Sequence, residues 1–137
     1  MEITAKLQNF VRSELQCKCG CGLVNITDEA LISLQAFRYY LNRRYKRDIP
    51  IIITSACRCQ NHNSRVGSTD TSEHQGTTKQ STAFDIVSPA LNFEDLYFSA
   101  VDSKLFSTVI KYNKMKFVHV DTRQRPDFGI ENWEWDR

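Results

Sequence analysis

The segment Phe117-Val118-His119-Val120-Asp121 places a strong restriction on how this chain folds. Side chains of a β-strand alternate between the two faces of a sheet, so Val118 and Val120 share one face while Phe117, His119 and Asp121 share the other. The valine face suits a hydrophobic core. The opposite face sets an imidazole beside a carboxylate, a pair with little structural purpose. The sequence therefore predicts a strand with one core face and one face that carries chemistry.

Two other residues extend this polar face to a candidate metal site. Asp85 lies in the middle of the apolar segment 83–87, where a carboxylate is costly to bury unless a cation compensates it. His74 lies in the polar stretch before that segment. Two neutral imidazoles and one carboxylate would fill three coordination positions of a zinc ion and leave the fourth open, as in catalytic zinc sites. On the residues alone, a hydrogen-bonded core histidine and an aspartate paired with an arginine also stay open.

The order of apolar patterns predicts an α+β fold with a small, largely antiparallel sheet and helices first in the chain. Helical spacing and capping residues predict three helices: one in the first sixteen residues (Leu7, Phe10, Val11, Leu15), one capped by Thr27 or Asp28 (Ala30, Leu34, Phe37, Leu41), and one capped by Asn92. β-branched and apolar runs predict strands at 51–54, 83–87, 106–112 and 116–121. We expect the tail with Trp133 and Trp135 to pack back over an edge of the sheet.

The stretch 55–82 is polar and long for a loop in a compact domain, and such loops are usually functional or disordered. It carries His62 and His74, two of the three histidines, so we favour a functional loop. The whole chain, residues 1–137, has the length of one domain.

Charge and hydropathy restrict the partners. A net charge of +2 is too small to indicate a nucleic-acid-binding face. The basic segment 43–47 reads more simply as the solvated end of a helix than as a phosphate-binding patch. No apolar run approaches the roughly 20 residues needed to span a bilayer, and the amino-terminal residues lack a secretory signal. We expect a soluble monomer without an export signal of its own.

Five cysteines form two clusters, and the sequence does not decide their state. They are Cys17, Cys19, Cys21, Cys57 and Cys59. The C-x-C-x-C spacing is a poor match to structural zinc sites, which usually use C-x-x-C. A disulfide between the clusters is disfavoured by the lack of a signal peptide. Reduced, partly buried thiols, a disulfide and a second metal all stay open.

Four ordered segments resemble the D-alanyl-D-alanine carboxypeptidase and phage endolysin family of zinc peptidases. Residues 53–59 (ITSACRC), with His62-Asn63 and Val66-Gly67, resemble its Ser-Gly-Tyr-Arg segment. Ser72-x-His74, the segment 83–86 (AFDI) and the segment 117–121 resemble the motifs that supply its first, second and third zinc ligands. The opening 17–22 (CKCGCG) is similar to the phage-type branch. The matches run in the family's order over most of the chain.

The resemblance implies a compact fold shared with the hedgehog signalling domain and hydrolysis of a peptide bond in peptidoglycan. It implies one zinc per chain, held by His74, Asp85 and His119. Arg58 occupies the position of the family's arginine, which binds a substrate carboxylate or stabilises an oxyanion. By the same resemblance, Ser72 contributes a hydrogen bond near the first ligand. Asp121 is a candidate catalytic residue or a partner that orients an imidazole. A substrate in the cell wall implies phage-type release or virion delivery.

This chain departs from the family pattern at two places. Asp85 lies eleven positions after His74, more than is usual, and Ser81 stands where the family commonly has a glycine. A loop absorbs such extra length at little entropic cost. The family's general base lies shortly before the last histidine, where this chain has Asn113, Lys114, Met115 and Lys116. Substitutes elsewhere are Asp121, Glu73 and His62. A zinc-stabilised binding domain without catalysis is therefore the alternative. A nucleic-acid module has only the Lys and Arg counts in its favour.

Overall fold

The sheet and helices are seen in a computed structural model, which describes residues 8–67, 72–77, 79–124 and 131–135. The helices are α1 (Arg12–Leu15), α2 (Asp28–Tyr45), α3 (Gln60–Arg65) and α4 (Phe93–Ser103). The strands are β1 (Ile52–Ser55), β2 (Ala83–Val87), β3 (Thr108–Tyr112), β4 (Phe117–Asp121) and β5 (Glu131–Trp135).

The five strands form one sheet in the order β1-β2-β4-β3-β5. The pairs β1/β2, β2/β4 and β3/β4 are antiparallel, whereas β5 runs parallel to β3. The predicted α+β fold with a largely antiparallel sheet is confirmed, and the parallel edge strand makes the sheet mixed. The strand β4 lies at the centre of the sheet, with a partner strand on each side.

The helix starts follow from their capping residues. The Thr27 hydroxyl accepts a hydrogen bond from the Ala30 N–H at 3.1 Å, and the Asn92 side chain accepts one from the Asp95 N–H at 2.8 Å. Such side chains satisfy backbone donors that have no partner within the helix. The predicted starts of α2 and α4 are therefore confirmed. The first helix is shorter than expected, and Leu7 lies outside the described residues.

Three details differ from the sequence expectation. The helix α3 lies inside the predicted loop, and its N-cap is Cys59, whose sulfur accepts the His62 N–H at 3.4 Å. Cysteine is not among the usual capping residues, so this start carried no signal. β3 begins at Thr108 rather than at 106. The carboxyl-terminal tryptophans belong to an edge strand, with Trp133 opposite Ile110.

The hydrophobic core covers the valine face of the sheet. Phe84, Val118 and Val120 are fully buried there, and helices α2 and α4 pack over this side, with α4 touching β3 and β4. Phe37 of α2 meets Phe106 edge to face, with ring centroids 5.5 Å apart. The alternation predicted for β4 therefore separates a core face from a polar face.

The basic end of α2 is exposed, as expected for a solvated helix terminus. Arg43, Arg44, Lys46 and Arg47 are all on the surface, and the Arg44 guanidinium pairs with the Asp102 carboxylate at 2.9 Å. Among the residues that the structure describes, no helix has both the length and the apolar character that crossing a membrane requires.

Candidate metal centre and active site

The polar face of the sheet brings the three predicted ligands together. Asp85 of β2 and His119 of β4 are direct cross-strand partners, so both side chains project from the face opposite the core. His74 enters from the loop before β2. Its Nε2 lies 3.1 Å from Asp85 Oδ1 and 3.2 Å from His119 Nδ1, and the distance from His119 Nδ1 to Asp85 Oδ1 is 3.1 Å. The three atoms form a nearly equilateral triangle.

The size of this triangle fits a tetrahedral zinc ion. Nitrogen and oxygen ligands lie about 2.0–2.2 Å from zinc, which sets ligand atoms about 3.3–3.5 Å apart in a tetrahedron. The observed separations are only slightly shorter. Within the described part of the chain, this group of potential metal-binding side chains consists of these three residues. Three protein ligands with a fourth position left for water or substrate are typical of catalytic rather than structural zinc.

Hydrogen bonds on the far side of each imidazole fix which nitrogen carries the proton. His74 Nδ1 lies 2.7 Å from the Ala56 carbonyl oxygen, so this nitrogen donates and Nε2 keeps its lone pair. His119 Nε2 lies 2.7 Å from Asp121 Oδ2, so it donates and Nδ1 keeps its lone pair. Both lone pairs therefore face Asp85 Oδ1. Three acceptor atoms directed at one point require a cation or a shared proton between them.

Asp121 is fully buried behind His119. Its carboxylate also accepts hydrogen bonds from Arg123, with Nε at 2.9 Å and Nη2 at 2.6 Å. Burial opposes ionisation, but His119 and Arg123 lower the pKa of Asp121 to about 2. An ionised carboxylate thus holds the imidazole in place from the side away from the ligand triangle. Arg123 was missed from sequence, although its position two residues beyond Asp121 was a usable signal.

The electrostatics of the triangle favour positive charge. Burial alone would lower the pKa of His119, but its hydrogen bonds with Asp121 and Asp85 raise this pKa to about 9. Burial alone would raise the pKa of Asp85, and the imidazoles of His74 and His119 instead hold it well below its ordinary value. Both shifts have the same origin, because the carboxylates stabilise a cation placed among these groups.

Arg58 and Ser72 lie beside the first ligand. The Arg58 guanidinium is 3.4 Å from the Ser72 hydroxyl, and that hydroxyl also accepts the His74 N–H at 3.3 Å. The Arg58 backbone N–H also donates a hydrogen bond to the His74 carbonyl oxygen at 2.7 Å. Burial lowers the pKa of Arg58, while the negative charge of Asp85 raises it. A half-buried guanidinium therefore lies within electrostatic range of the ligand triangle.

The position of the general base in related motifs falls in the β3–β4 hairpin. Residues 113–116 form its turn, and Lys114, Met115 and Lys116 are exposed. The other candidates have their own contacts. The Glu73 carboxylate pairs with Lys79 at 2.5 Å and accepts the Thr82 hydroxyl at 2.7 Å, and His62 lies on α3. The structure thus gathers the predicted ligands with Arg58, Ser72 and Asp121. Of the base candidates, Asp121 does hydrogen-bond a ligand, but at His119 Nε2, the nitrogen that faces away from the triangle.

Comparison with known proteins agrees with this geometry. The sequence model of a family described as Peptidase M15 matches residues 8–121. No curated protein matches the chain in sequence. The matched region includes both strands of the ligand triangle, the loop with His74 and the segment with Arg58. Because the match covers well over half of its length, the chain belongs to the peptidase M15 family of metal-dependent peptidases.

Proposed function

We propose that this peptidase uses one zinc ion, held by His74, Asp85 and His119, to hydrolyse a peptide bond in the stem peptides of bacterial peptidoglycan. The proposal covers a D,D-carboxypeptidase and an endolysin-type endopeptidase delivered by phage-type release. The observation that carries it is the triangle of three lone-pair atoms 3.1–3.2 Å apart on the polar face of the sheet. The ordered motifs of the sequence support the cell-wall substrate.

Each neighbouring residue has a role that its contacts support. Bound zinc supplies a Lewis acid and a water of lowered pKa. Asp121 and the Ala56 carbonyl keep the two imidazoles in their metal-binding tautomers. Arg58 offers a fixed positive charge for a substrate carboxylate or for the oxyanion that forms at the scissile carbonyl. Ser72 holds that guanidinium against the His74 loop.

The charge of Arg58 bears on which bond is cut. A planar guanidinium pairs strongly with a carboxylate through two parallel hydrogen bonds. If Arg58 binds the free carboxyl end of a stem peptide, the scissile bond is the last one and the enzyme is a carboxypeptidase. If it stabilises only the oxyanion, an internal bond serves equally well.

Synthetic stem pentapeptides ending in D-alanyl-D-alanine, with either a free or an amidated carboxyl end, distinguish these roles. We expect the zinc-loaded protein to cleave the free acid faster if it is a carboxypeptidase, and mass spectrometry of the products identifies the bond. The variants His74→Ala and His119→Ala should lose the zinc ion of the triangle together with activity. His62→Ala serves as the control for metal content, because His62 lies outside the triangle. Cleavage that survives loss of zinc would overturn the proposal.

A zinc-stabilised binding domain without catalysis is the second candidate. The observation in its favour is the hairpin 113–116, which offers lysines, an asparagine and a methionine where the motif resemblance leads us to expect a base. General-base assistance typically contributes about 10²–10⁴ in rate. Stoichiometric zinc with no new amino or carboxyl ends after incubation with purified peptidoglycan would support this candidate. New ends would exclude it.

A further inference from the structure

Four of the five cysteines converge at a second place in the molecule. The sulfur atoms of Cys17, Cys19, Cys21 and Cys59 all lie within 4.8 Å of one another. Three of these separations are 3.4 Å from Cys17 to Cys19, and 3.7 Å from Cys59 to each of these two. The fifth, Cys57, is buried and its sulfur lies 3.9 Å from the Asn25 carbonyl oxygen instead.

These separations match one tetrahedral metal ion. Zinc–sulfur bonds of about 2.3 Å set the sulfurs of a tetrahedral four-cysteine site about 3.8 Å apart. A disulfide needs about 2.05 Å between its two sulfurs, and it would join only two of the four. The cluster therefore has the dimensions of a structural zinc site with every position filled by protein.

Backbone N–H groups donate to two sulfurs of the cluster. The Cys17 sulfur accepts the Cys59 N–H at 3.4 Å, and the Cys59 sulfur accepts the His62 N–H at 3.4 Å. Hydrogen bonds to a charged sulfur favour the ionised form, which is the form that binds metal.

Two glycines explain how the C-x-C-x-C spacing, a poor match by sequence, reaches this arrangement. Gly20 and Gly22 have φ angles of +92° and +78°, which residues with a side chain rarely adopt. These left-handed positions coil the segment, and the Cys17 N–H closes the coil on the Leu23 carbonyl at 2.9 Å. Three sulfurs of a short segment therefore face one point, and Cys59 completes the set from the N-cap of α3.

We propose that Cys17, Cys19, Cys21 and Cys59 bind a second, structural zinc ion that fastens the amino-terminal segment to the active-site loop. Cys59 directly follows Arg58, whose backbone carbonyl accepts the Gly76 N–H at 2.7 Å, two residues beyond His74. The ion thus holds the segment that positions Arg58. This inference stands on the sulfur geometry and does not depend on the proposed peptidase reaction. It raises the expected metal content from one ion to two.

Metal analysis of the full chain, purified with zinc and without chelator, tests the count. We expect about two zinc ions per chain in the unaltered protein. The double variant Cys19→Ser/Cys21→Ser should retain about one zinc, and so should His74→Ala. The cysteine pair is chosen because both side chains are exposed. Cys57→Ala is the matched control, and it should keep the full content.

Cobalt substitution tests the ligands without relying on a variant that must fold. Thiolate ligands give cobalt(II) an intense sulfur-to-metal charge-transfer absorption in the near ultraviolet, whereas nitrogen and oxygen ligands do not. We expect this band in the unaltered protein and in His74→Ala. Its absence from the unaltered protein overturns the proposal. So does a single metal per chain that disappears in His74→Ala, or a disulfide among the four cysteines found by mass mapping of protein purified under nitrogen.

Discussion

Asp121 lies outside the ligand triangle but holds one of its imidazoles in place. Its carboxylate touches His119 on the ring nitrogen that points away from the ligand triangle. Arg123 holds the carboxylate from its other side. The chain Arg123–Asp121–His119 therefore determines one tautomer and one ring orientation, and both are needed for Nδ1 to face Asp85.

Replacing Asp121 with Asn should weaken zinc binding while leaving all three ligands in place. The amide removes the negative charge that favours the metal-binding imidazole, and losses of this kind are about 10–100-fold in affinity. Competition with a coloured chelator measures the dissociation constant. Asp102→Asn removes a surface carboxylate that pairs with Arg44 and should leave the affinity unchanged. Equal affinities for Asp121→Asn and the unaltered protein would contradict the positioning role.

Replacing Arg58 with Gln should impair catalysis without releasing the metal. The guanidinium is close enough to sense the charge of Asp85 but is not a ligand, and loss of one oxyanion donor costs about 10²–10³ in kcat. Steady-state kinetics on the free-acid stem peptide, together with metal analysis, provide the two measurements. Arg44→Gln, on the exposed end of α2, is the control. Unchanged kinetics would contradict a role for Arg58 in substrate binding or catalysis.

The secondary structure elements differ in how well the sequence predicted them. The helices α2 and α4 were predictable because Thr27 and Asn92 are ordinary capping residues followed by regular apolar spacing. β2 and β4 were predictable from short apolar runs. The helix α3 was not, because a cysteine sulfur caps it. Strand β5 was not, because Glu131–Trp135 contains no β-branched residue and its apolar positions are only Trp133 and Trp135. Non-local pairing with β3 overrides weak local preference there.

Helix α2 is expected to owe its stability to one buried face. Phe37 is fully buried against Phe106, whereas Ile32 on the same helix is 55% exposed. Truncating a buried phenylalanine to alanine typically costs about 3–5 kcal/mol. We expect Phe37→Ala to lower the free energy of unfolding by about that amount and Ile32→Ala by under about 0.5 kcal/mol. Urea unfolding of both variants measures the contrast, and similar losses would contradict the assignment of faces.

The loop after His74 has no room for a side chain at Gly76. An added Cβ would lie 2.4 Å from the Cys57 sulfur and 3.3 Å from the Asn25 carbonyl oxygen. Overpacking of this kind costs about 1–3 kcal/mol. We expect Gly76→Ala to lower the free energy of unfolding, and Cys57→Ala in the same chain to restore part of it, because the closer obstacle is removed. Denaturant unfolding of the two single variants and the double variant gives the coupling; strict additivity would argue against the clash.

The metal triangle is a property of the whole molecule. Its ligands come from a loop, β2 and β4, and His74 and His119 are 45 residues apart in sequence. The residue types suggested these candidate ligands, and the resemblance to a peptidase family strengthened that prediction. The sequence did not predict the contacts that orient the imidazoles, such as the hydrogen bond between His74 Nδ1 and the Ala56 carbonyl oxygen. A backbone oxygen has no residue-type signal, so tertiary structure alone reveals it.

Removing zinc should lower the thermal stability of the folded protein. Without zinc, the three acceptor atoms of the ligand triangle lose the cation that compensates them. A ligand that binds only the folded state, at a concentration 100 times its dissociation constant, raises the free energy of unfolding by about 2.7 kcal/mol. For a chain of this size, we expect a fall in Tm on the order of 10 °C after chelation, reversed by added zinc. Differential scanning calorimetry over a zinc series checks this. The change in Tm should be smaller in His74→Ala. A Tm that does not depend on zinc concentration would contradict zinc binding at this site.

The central position of β4 has a consequence for how this protein can vary in evolution. Deleting or inserting a single residue within Phe117–Asp121 would exchange the two faces of the strand, so that His119 would enter the core and a valine would occupy the metal face. Both neighbouring strands hold β4 in its pairing, which leaves no edge along which to relax. Changes of length in lineages that keep the enzyme should therefore be confined to the connecting loops, as the long interval between His74 and Asp85 already illustrates.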